Sequence, residues 1–228
     1  MEAGKTSSGT KIIDDLLGGG FDRDVITVVY GPSSAGKTNL CLIAMADVVR
    51  RGKKAVFIDT EGVSIDRVKQ IAPDYQKLLE NVLFLKPTNF EEQRNVFERL
   101  AKLVSEKIGM IIVDSVSMLY RLEIAKSNDT FNVNRTLGYH LNFLSEIARK
   151  KNIPILVTNQ VYSDVDGKDQ VKLVGGDILK YSSKCLIELQ KLKHGRKAIL
   201  RKHRSLPEKE TYFEIYDKGI RPLDNISQ

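Results

Sequence analysis

The sequence predicts a doubly wound α/β domain whose sheet is mostly parallel, with antiparallel strands toward the C-terminal end. Up to Thr158, short apolar runs alternate with longer segments of helical spacing. The runs are apolar at nearly every position, which is typical of parallel strands covered by helices on both faces. After Gly175 strand-like segments dominate, and this change predicts the antiparallel part.

The parallel part is predicted from five strands and the helices between them. The predicted strands are Val25–Tyr30, Ala55–Asp59, Val82–Leu85, Met110–Asp114 and Ile153–Thr158. The predicted helices are Lys37–Arg51, Asp66–Ala72, Glu91–Lys107 and Phe131–Lys151. Gly52 directly follows the first helix, where a left-handed C-cap residue is expected.

The C-terminal segments predict a β-hairpin and a further strand. The strand-like segments are Cys185–Leu192, Ala198–Lys202 and Thr211–Tyr216. A short turn-like stretch separates the first two, so they are expected to pair. The length of 228 residues suits one domain, and residues 1–228 are predicted to form it.

The positive charge of the chain is concentrated in one segment. The 36 Lys and Arg exceed the 29 Asp and Glu, and seven basic but no acidic residues lie between Lys191 and Arg204. Such a segment can neutralise DNA phosphates without reading base sequence, so DNA binding that is not sequence-specific is expected. The candidate contacts are Lys191, Lys193, Arg196 and Lys197. The alternative is a solvated hairpin whose cations prevent edge pairing.

Membrane and zinc-binding classes are not supported. No apolar run approaches the roughly 20 residues that span a bilayer, and Lys5 is followed by polar residues rather than by a secretory apolar block. An intracellular protein without a membrane partner is therefore expected. Cys41 and Cys185 lie in apolar patterns without metal-ligand spacing, so they are predicted to be buried, reduced thiols.

A phosphate-binding loop is predicted between the first strand and the first helix. The sequence Gly-Pro-Ser-Ser-Ala-Gly-Lys-Thr at 31–38 fits the pattern GxxxxGK[ST]. Its glycines let backbone N–H groups surround an anion at the start of a helix. Lys37 would reach the β- and γ-phosphates and Thr38 would bind Mg²⁺. The residues predicted to bind ATP are Gly31, Pro32, Ser33, Ser34, Ala35, Gly36, Lys37, Thr38 and Asn39.

Polar residues at the ends of three predicted strands are candidates for catalysis. Asp114 ends a hydrophobic strand, where a P-loop protein needs an acid that holds Mg²⁺. Glu61 follows the second strand and could orient and deprotonate water, with Asp59 as its competitor and simple turn capping as the alternative. Gln160 could hydrogen-bond a γ-phosphate oxygen and change position when that phosphate leaves.

Together these motifs resemble the RecA/RadA recombinase family, most of all its short archaeal paralogues. The similarity covers almost the whole chain, and the motifs occur in the family's order. The matching segments are Thr10–Gly20, Phe57–Gly62, Ile112–Ser115, Val157–Val161, Gly175–Gly176 and Leu206–Glu208. The resemblance implies a RecA-like P-loop NTPase core that uses ATP and Mg²⁺.

The resemblance also implies roles for individual residues. Glu61 corresponds to the catalytic glutamate, Asp114 to the aspartate that holds Mg²⁺ through water, and Gln160 to the nucleotide sensor. Arg67 would pack on the adenine. Lys202 or Arg204 would contact the ATP of a neighbouring subunit.

Two DNA loops are implied by the same resemblance. The first would span Arg121–Thr130 and the second Ser163–Val174. In the second loop, Lys168 and Lys172 would bind DNA, with Tyr162 nearby to stack on bases.

The expected function is that of an ATP- and DNA-binding paralogue in homologous recombination and DNA repair. Only 30 residues precede Gly31, so no N-terminal helical DNA-binding domain is expected. Because the phosphate site is intact while the DNA loops depart from the family's pattern, slow ATP hydrolysis with little strand exchange is expected. The implied partners are single-stranded or branched DNA, the main recombinase RadA, a Holliday-junction resolvase and further copies of this chain. The implied location is the cytoplasm, in association with the nucleoid. The alternatives are a filament-forming strand-exchange recombinase, a regulator or kinase of the circadian-clock type, and a module that binds nucleotide without hydrolysing it.

Overall fold

A computed structural model describes residues 4–162 and 172–223 of the chain. The strands are β1 (Lys5–Thr6), β2 (Phe21–Asp22), β3 (Ile26–Tyr30), β4 (Lys54–Asp59), β5 (Val82–Leu85), β6 (Ile108–Asp114), β7 (Ile155–Asn159), β8 (Val161–Tyr162), β9 (Lys172–Leu173), β10 (Cys185–Lys191), β11 (Arg196–Lys202), β12 (Lys209–Tyr216) and β13 (Gly219–Pro222). The helices are α1 (Lys11–Leu16), α2 (Lys37–Arg50), α3 (Ile65–Ile71), α4 (Tyr75–Leu79), α5 (Phe90–Leu103), α6 (Ser117–Lys126), α7 (Thr130–Lys151) and α8 (Gly176–Ser182).

One nine-stranded sheet organises the described residues, in the order β13-β12-β11-β10-β3-β7-β6-β4-β5. The six strands from β10 to β5 are parallel to their neighbours, while β10 to β13 pair antiparallel. The predicted fold class is therefore confirmed, and the predicted hairpin is β10–β11. The register places Asp59 opposite Asp114 and Tyr30 opposite Asn159. These four residues mark the carboxyl edge of the parallel sheet.

Successive strand residues point to opposite sides of the sheet, and because both are apolar here, helices cover both faces. Val29 belongs to the apolar core beneath α1 to α4, whereas its neighbour Val28 belongs to the core beneath α5 to α8. Both valines are almost fully buried. Cys41 and Cys185 are free, buried thiols, as predicted, and burial raises the pKa of Cys185 to about 12.

The structure corrects several predicted boundaries. Arg121, expected in the first DNA loop at Arg121–Thr130, lies inside α6 instead. The sequence does not predict this helix, because its apolar residues are not confined to one face. Leu119 and Tyr120 are nevertheless buried. The helix predicted to reach Lys107 ends at Leu103, because the chain must turn before β6 begins at Ile108. The short helices α4 and α8 were also not predicted.

No helix within residues 4–162 and 172–223 combines the length and the apolar character that crossing a membrane requires.

A buried histidine is enclosed between α5 and α7. His140 is 1% exposed, and its ring lies 5.3 Å from that of Phe90 and 4.9 Å from that of Phe97, measured between centroids. Neither ring nitrogen has a hydrogen-bond partner among the described residues, and the same holds for the side-chain amide of buried Gln93. Burial lowers the pKa of His140 to about 4. The imidazole is therefore neutral in the folded protein at neutral pH.

This histidine should make the fold sensitive to acid. The unfolded chain takes up the His140 proton near pH 6.5 and the folded chain only near pH 4, so stability falls as pH drops through that window. Between pH 7 and pH 4, His140 should account for about 3 kcal/mol of the fall in the free energy of unfolding of wild type. We expect this part of the fall to be absent in His140→Leu. Urea denaturation at several pH values measures this. His194→Leu, at an exposed hairpin position, is the control, and equal pH dependence in His140→Leu and wild type would contradict the prediction.

Candidate phosphate-binding site

The loop at 31–38 connects β3 to α2, as predicted, and its close packing requires glycine at two positions. A Cβ atom on Gly31 would lie 2.2 Å from the carbonyl oxygen of Leu189 in β10. Gly36 adopts a φ of 106°, and a Cβ atom there would lie 3.0 Å from Ile215 in β12. The C-terminal strands therefore press against the loop and fix its path.

Lys37 is folded back onto this loop. Its Nζ donates hydrogen bonds to the carbonyl oxygens of Gly31 and Pro32, each at 2.9 Å. Burial lowers the pKa of Lys37, while the negative charges of Glu61 and Asp114 oppose that shift. The ammonium group thus lies against the loop, within the electrostatic influence of two acidic residues, where a phosphate can replace the carbonyl contacts.

Asp114 presents a buried carboxylate to the same place. Its Oδ1 accepts a hydrogen bond from the hydroxyl of Thr158, whereas its Oδ2 has no partner among the described residues. Burial raises the pKa of Asp114, and the nearby hydroxyl groups of Thr158 and Thr38 counteract the increase. A buried carboxylate oxygen without a partner, beside a threonine hydroxyl, is a suitable donor set for a hard cation such as Mg²⁺.

Asp59 and Glu61, the two competitors for a catalytic role, occupy different environments. Asp59 is buried and accepts backbone N–H groups from Glu61 at 3.2 Å, Gly62 at 2.7 Å and Val63 at 2.9 Å. It therefore caps the turn that follows β4. Glu61 extends from that turn and lines the cavity beside the P-loop.

Glu61 is held by two side chains from neighbouring strand ends. Its Oε1 accepts hydrogen bonds from the hydroxyl of Ser115 at 2.6 Å and from the Gln160 amide at 2.7 Å. The strand ends bring these three residues together because β4, β6 and β7 are parallel neighbours. Oε1 is thereby occupied, whereas Oε2 has no hydrogen-bond partner among the described residues.

The cavity has a volume of about 360 Å³. Its lining contains Ser33, Ser34, Gly36, Lys37, Thr38, Asn39, Glu61, Arg67, Gln160 and Ile215. Arg67 is fixed at the rim, because its Nη2 donates to Oδ1 of Asn39 at 2.6 Å and to the carbonyl of Tyr216 at 2.8 Å. The cavity thus gathers the P-loop and the residues predicted for water activation, nucleotide sensing and adenine packing.

Arg121 belongs to the same network but was not predicted as a site residue. Its Nη1 donates to Oε1 of Gln160 at 2.6 Å, and its guanidinium carbon lies 5.8 Å from the centroid of the Tyr162 ring. One continuous series of contacts therefore runs from Glu61 through Gln160 and Arg121 to Tyr162. No sequence spacing indicates it, since the residues come from separate elements.

A comparison with known protein families identifies the family of this chain. The sequence model of the Rad51 family matches residues 2–223. This chain belongs to the Rad51 family. The resemblance to RecA/RadA recombinases and their short archaeal paralogues is thereby confirmed, and the RecA-like fold with it.

Individual relatives extend over nearly the whole chain. A protein named "DNA repair and recombination protein RadB" from Methanococcoides burtonii is 42% identical over 217 residues, which is 94% of this chain and 96% of the relative. Its namesake from Methanocaldococcus jannaschii is 37% identical over 93% of this chain and all of the relative. The "Crystal structure of the RadB recombinase" superposes with a TM-score of 0.81 at 37% identity, covering 96% of this chain and 100% of that one.

Most cations of the basic segment in this Rad51-family chain have intramolecular partners. Arg196 donates to the carbonyl of Ser34 in the P-loop at 3.2 Å, and Lys197 pairs with Glu210 at 2.6 Å. Lys191 and Lys193 are exposed and have no carboxylate within 4 Å among the described residues. The surface expected to bind DNA therefore retains two cations in this segment that make neither an ion pair nor a side-chain hydrogen bond within the described residues.

The two residues predicted to reach a neighbouring ATP also have partners within the chain. Lys202 donates to the carbonyls of Lys180 at 2.6 Å and Ser183 at 2.8 Å, at the end of α8. Arg204 pairs with Asp22 and Asp24, each at 2.9 Å. Any contact with a neighbour's ATP requires these bonds to be exchanged.

Of the two lysines predicted in the second DNA loop, Lys168 lies outside the described residues. Lys172 lies in β9, whose backbone pairs with β8 so that Lys172 is opposite Tyr162.

Because Asp59 fixes three backbone N–H groups, its loss should destabilise the turn that carries Glu61. We expect Asp59→Ala to lower the free energy of unfolding by about 2–3 kcal/mol, since three backbone N–H groups lose their charged acceptor. Urea denaturation at pH 7 measures the change. Asp66→Ala is the matched control, because this carboxylate is 87% exposed, and it should cost less than about 0.5 kcal/mol. Equal stabilities of the two variants would show that Asp59 does not hold the turn.

Proposed function

We propose that the protein binds Mg·ATP and DNA, hydrolyses ATP slowly, and acts as a recombinase paralogue in homologous recombination and DNA repair with little strand exchange. Residues 1–228 act as one RecA-like ATPase domain in this proposal. One observation carries it: the buried Lys37 amine and the Glu61 carboxylate line one cavity beside the P-loop, and the negative charge of Asp114, whose Oδ2 has no partner among the described residues, acts on Lys37. The RadB names of the relatives support the recombination part.

The P-loop and its neighbours would bind the nucleotide. Loop N–H groups and Lys37 hold the phosphates, Thr38 and Asp114 hold Mg²⁺, with Asp114 acting through water, and Arg67 packs on the base. The metal supplies positive charge that offsets the charge on the transferring phosphoryl group. Asp114 suits this role because it is buried yet keeps one oxygen without a partner among the described residues.

Glu61 would orient the attacking water and accept its proton. Ser115 and Gln160 both bind the same oxygen of Glu61, so this side chain is positioned before the nucleotide arrives. The same contacts favour slow turnover, because the Gln160 amide must leave Glu61 before it can bind a γ-phosphate oxygen. The Glu61 carboxylate therefore alternates between a state that is hydrogen-bonded to Gln160 and a state that is not.

The network beyond Gln160 would couple ATP to DNA. Arg121 bonds Gln160 and lies over Tyr162, an exposed aromatic on the strand that leads into the second DNA loop. Movement of the Gln160 amide would break or redirect the Arg121 bond and so shift Tyr162. Tyr162 would then stack on a base, with Lys191 and Lys193 contacting phosphates.

The protein partners follow from the family. RadA, a Holliday-junction resolvase and further copies of this chain are the proposed partners. Within the basic segment we assign Lys202 and Arg204 first to the fold, because they bind the end of α8 and the residues around β2. These intramolecular bonds are one physical reason to expect little strand exchange.

Two variants separate nucleotide binding from hydrolysis. We expect Lys37→Ala to weaken ATP binding by at least about 100-fold, because the cation between the phosphates and the loop is lost. Glu61→Gln should bind ATP with wild-type affinity but release phosphate at least about 100-fold more slowly. Titration with a fluorescent ATP analogue and a phosphate-release assay measure these effects.

Lys69→Ala, at an exposed position of α3, is the control and should behave as wild type. Unchanged phosphate release by Glu61→Gln would contradict its role as the base. Absence of phosphate release from wild type would favour a module that only binds nucleotide. Transfer of the γ-phosphate to a protein side chain would favour the clock-type regulator or kinase, and efficient joint-molecule formation would favour a strand-exchange recombinase.

A further inference from the structure

A second, larger cleft lies at the opposite edge of the sheet from the P-loop. Its volume is about 550 Å³. It is lined by the segments in which β4, β6 and β7 begin, together with the C-terminal ends of α2 and α7. The parallel strand β3 has five residues and is therefore roughly 17 Å long, which separates the two edges of the sheet. The cleft is thus a separate surface from the nucleotide cavity.

The lining of this cleft is strongly basic. It contains five cationic residues and one acidic residue, Glu106. The cations are Arg23, Arg51, Lys53, Lys150 and Lys151. All five are exposed. A surface of this kind attracts polyanions.

Three of these cations have no carboxylate within 4 Å in the described part of the chain. Arg51 pairs with Asp47, and Lys150 with Glu146. By contrast, Arg23 bonds the hydroxyl of Thr6 and Lys53 bonds a backbone carbonyl, while Lys151 appears in no ion pair. Their positive charges are therefore uncompensated and available to a ligand.

The fold does not require this charge. A helix C-terminus carries about half a negative charge, so one cation at each of α2 and α7 suffices to offset it. α2 ends with two arginines, at 50 and 51, and the last turn of α7 carries three basic residues, Arg149 to Lys151. Arg23 and Lys53 lie outside any helix. The excess points to a ligand.

We propose that this cleft binds the phosphate backbone of DNA, as a second DNA surface behind the ATPase core. A small anion would need buried donors converging on one point, whereas these cations are exposed and spread along a rim. Lysine ammonium groups on flexible stems fit a row of phosphates without base recognition. The inference rests on the proposed DNA binding and adds a location opposite to the loops that face ATP. One protein molecule then contacts two DNA segments.

The test compares two double variants that each remove two positive charges. Lys53→Gln with Lys151→Gln alters the cleft, and Lys77→Gln with Lys86→Gln is the matched control, since both of these lysines are exposed and lie outside the cleft lining. Affinity for a labelled oligonucleotide is measured by fluorescence anisotropy against salt. Each lost phosphate contact lowers the salt slope by about 0.9. Between about 50 and 200 mM salt, the control should lose about tenfold more affinity than the cleft variant.

The outcomes are distinct. A salt slope for the cleft variant equal to that of wild type would overturn this inference and leave the proposed function intact. Wild type that binds no DNA would overturn both. Poly-glutamate binding that depends on Lys53 and Lys151 while DNA binding does not would assign the cleft to an acidic protein. The ATP affinity of the cleft variant should equal that of wild type, because the P-loop lies at the other edge. Its melting temperature should also be unchanged, because both substituted lysines are exposed.

Discussion

Burial of charge at the carboxyl edge of the sheet is the constraint that organises this protein. Lys37 and Asp114 are both largely removed from water, and a buried charge is costly unless it has partners. Lys37 meets that demand with two loop carbonyls, and Asp114 does so with Thr158 at one oxygen only. The packing of β10 and β12 against Gly31 and Gly36 keeps the loop in the position that this arrangement needs.

Residues at the same edge of the sheet form a connected series of contacts that leads away from Glu61. Gln160 shares its amide between Glu61 and Arg121, using the nitrogen for one and the oxygen for the other. A phosphate that binds the amide nitrogen must compete with Glu61, and the amide cannot turn without disturbing Arg121. Since Arg121 lies over the Tyr162 ring, a displaced Gln160 amide would also disturb Tyr162, which is the connection that we propose between nucleotide and nucleic acid.

The sequence predicts the residues whose roles depend on local context. The P-loop, Asp114, Glu61 and Gln160 lie at strand ends or within two residues of them, so hydrophobic runs and glycine spacing reveal them. Periodicity also predicts the parallel strands and the C-terminal hairpin. Asp59 shows the limit, because only the three N–H contacts identify it as a turn cap rather than a base.

Contacts between distant residues are what sequence reasoning cannot supply. Arg121 bonds Gln160 across 39 positions, and Arg204 pairs with Asp24 across 180. Seven cations appear as one basic segment in the sequence, yet Lys197 and Arg201 are paired with glutamates in the fold. The cationic cleft is likewise assembled from separated segments, so its charge is not visible as a run.

The most direct test of the account is the effect of ATP on DNA affinity, measured by anisotropy for wild type and Arg121→Gln. Lys126→Gln, at the exposed end of the same helix, is the control. We predict that ATP changes the DNA-binding free energy of wild type and of the control by about 1 kcal/mol or more. In Arg121→Gln this change should vanish while ATP affinity stays the same. An undiminished ATP effect in Arg121→Gln would contradict the proposed connection between the two sites.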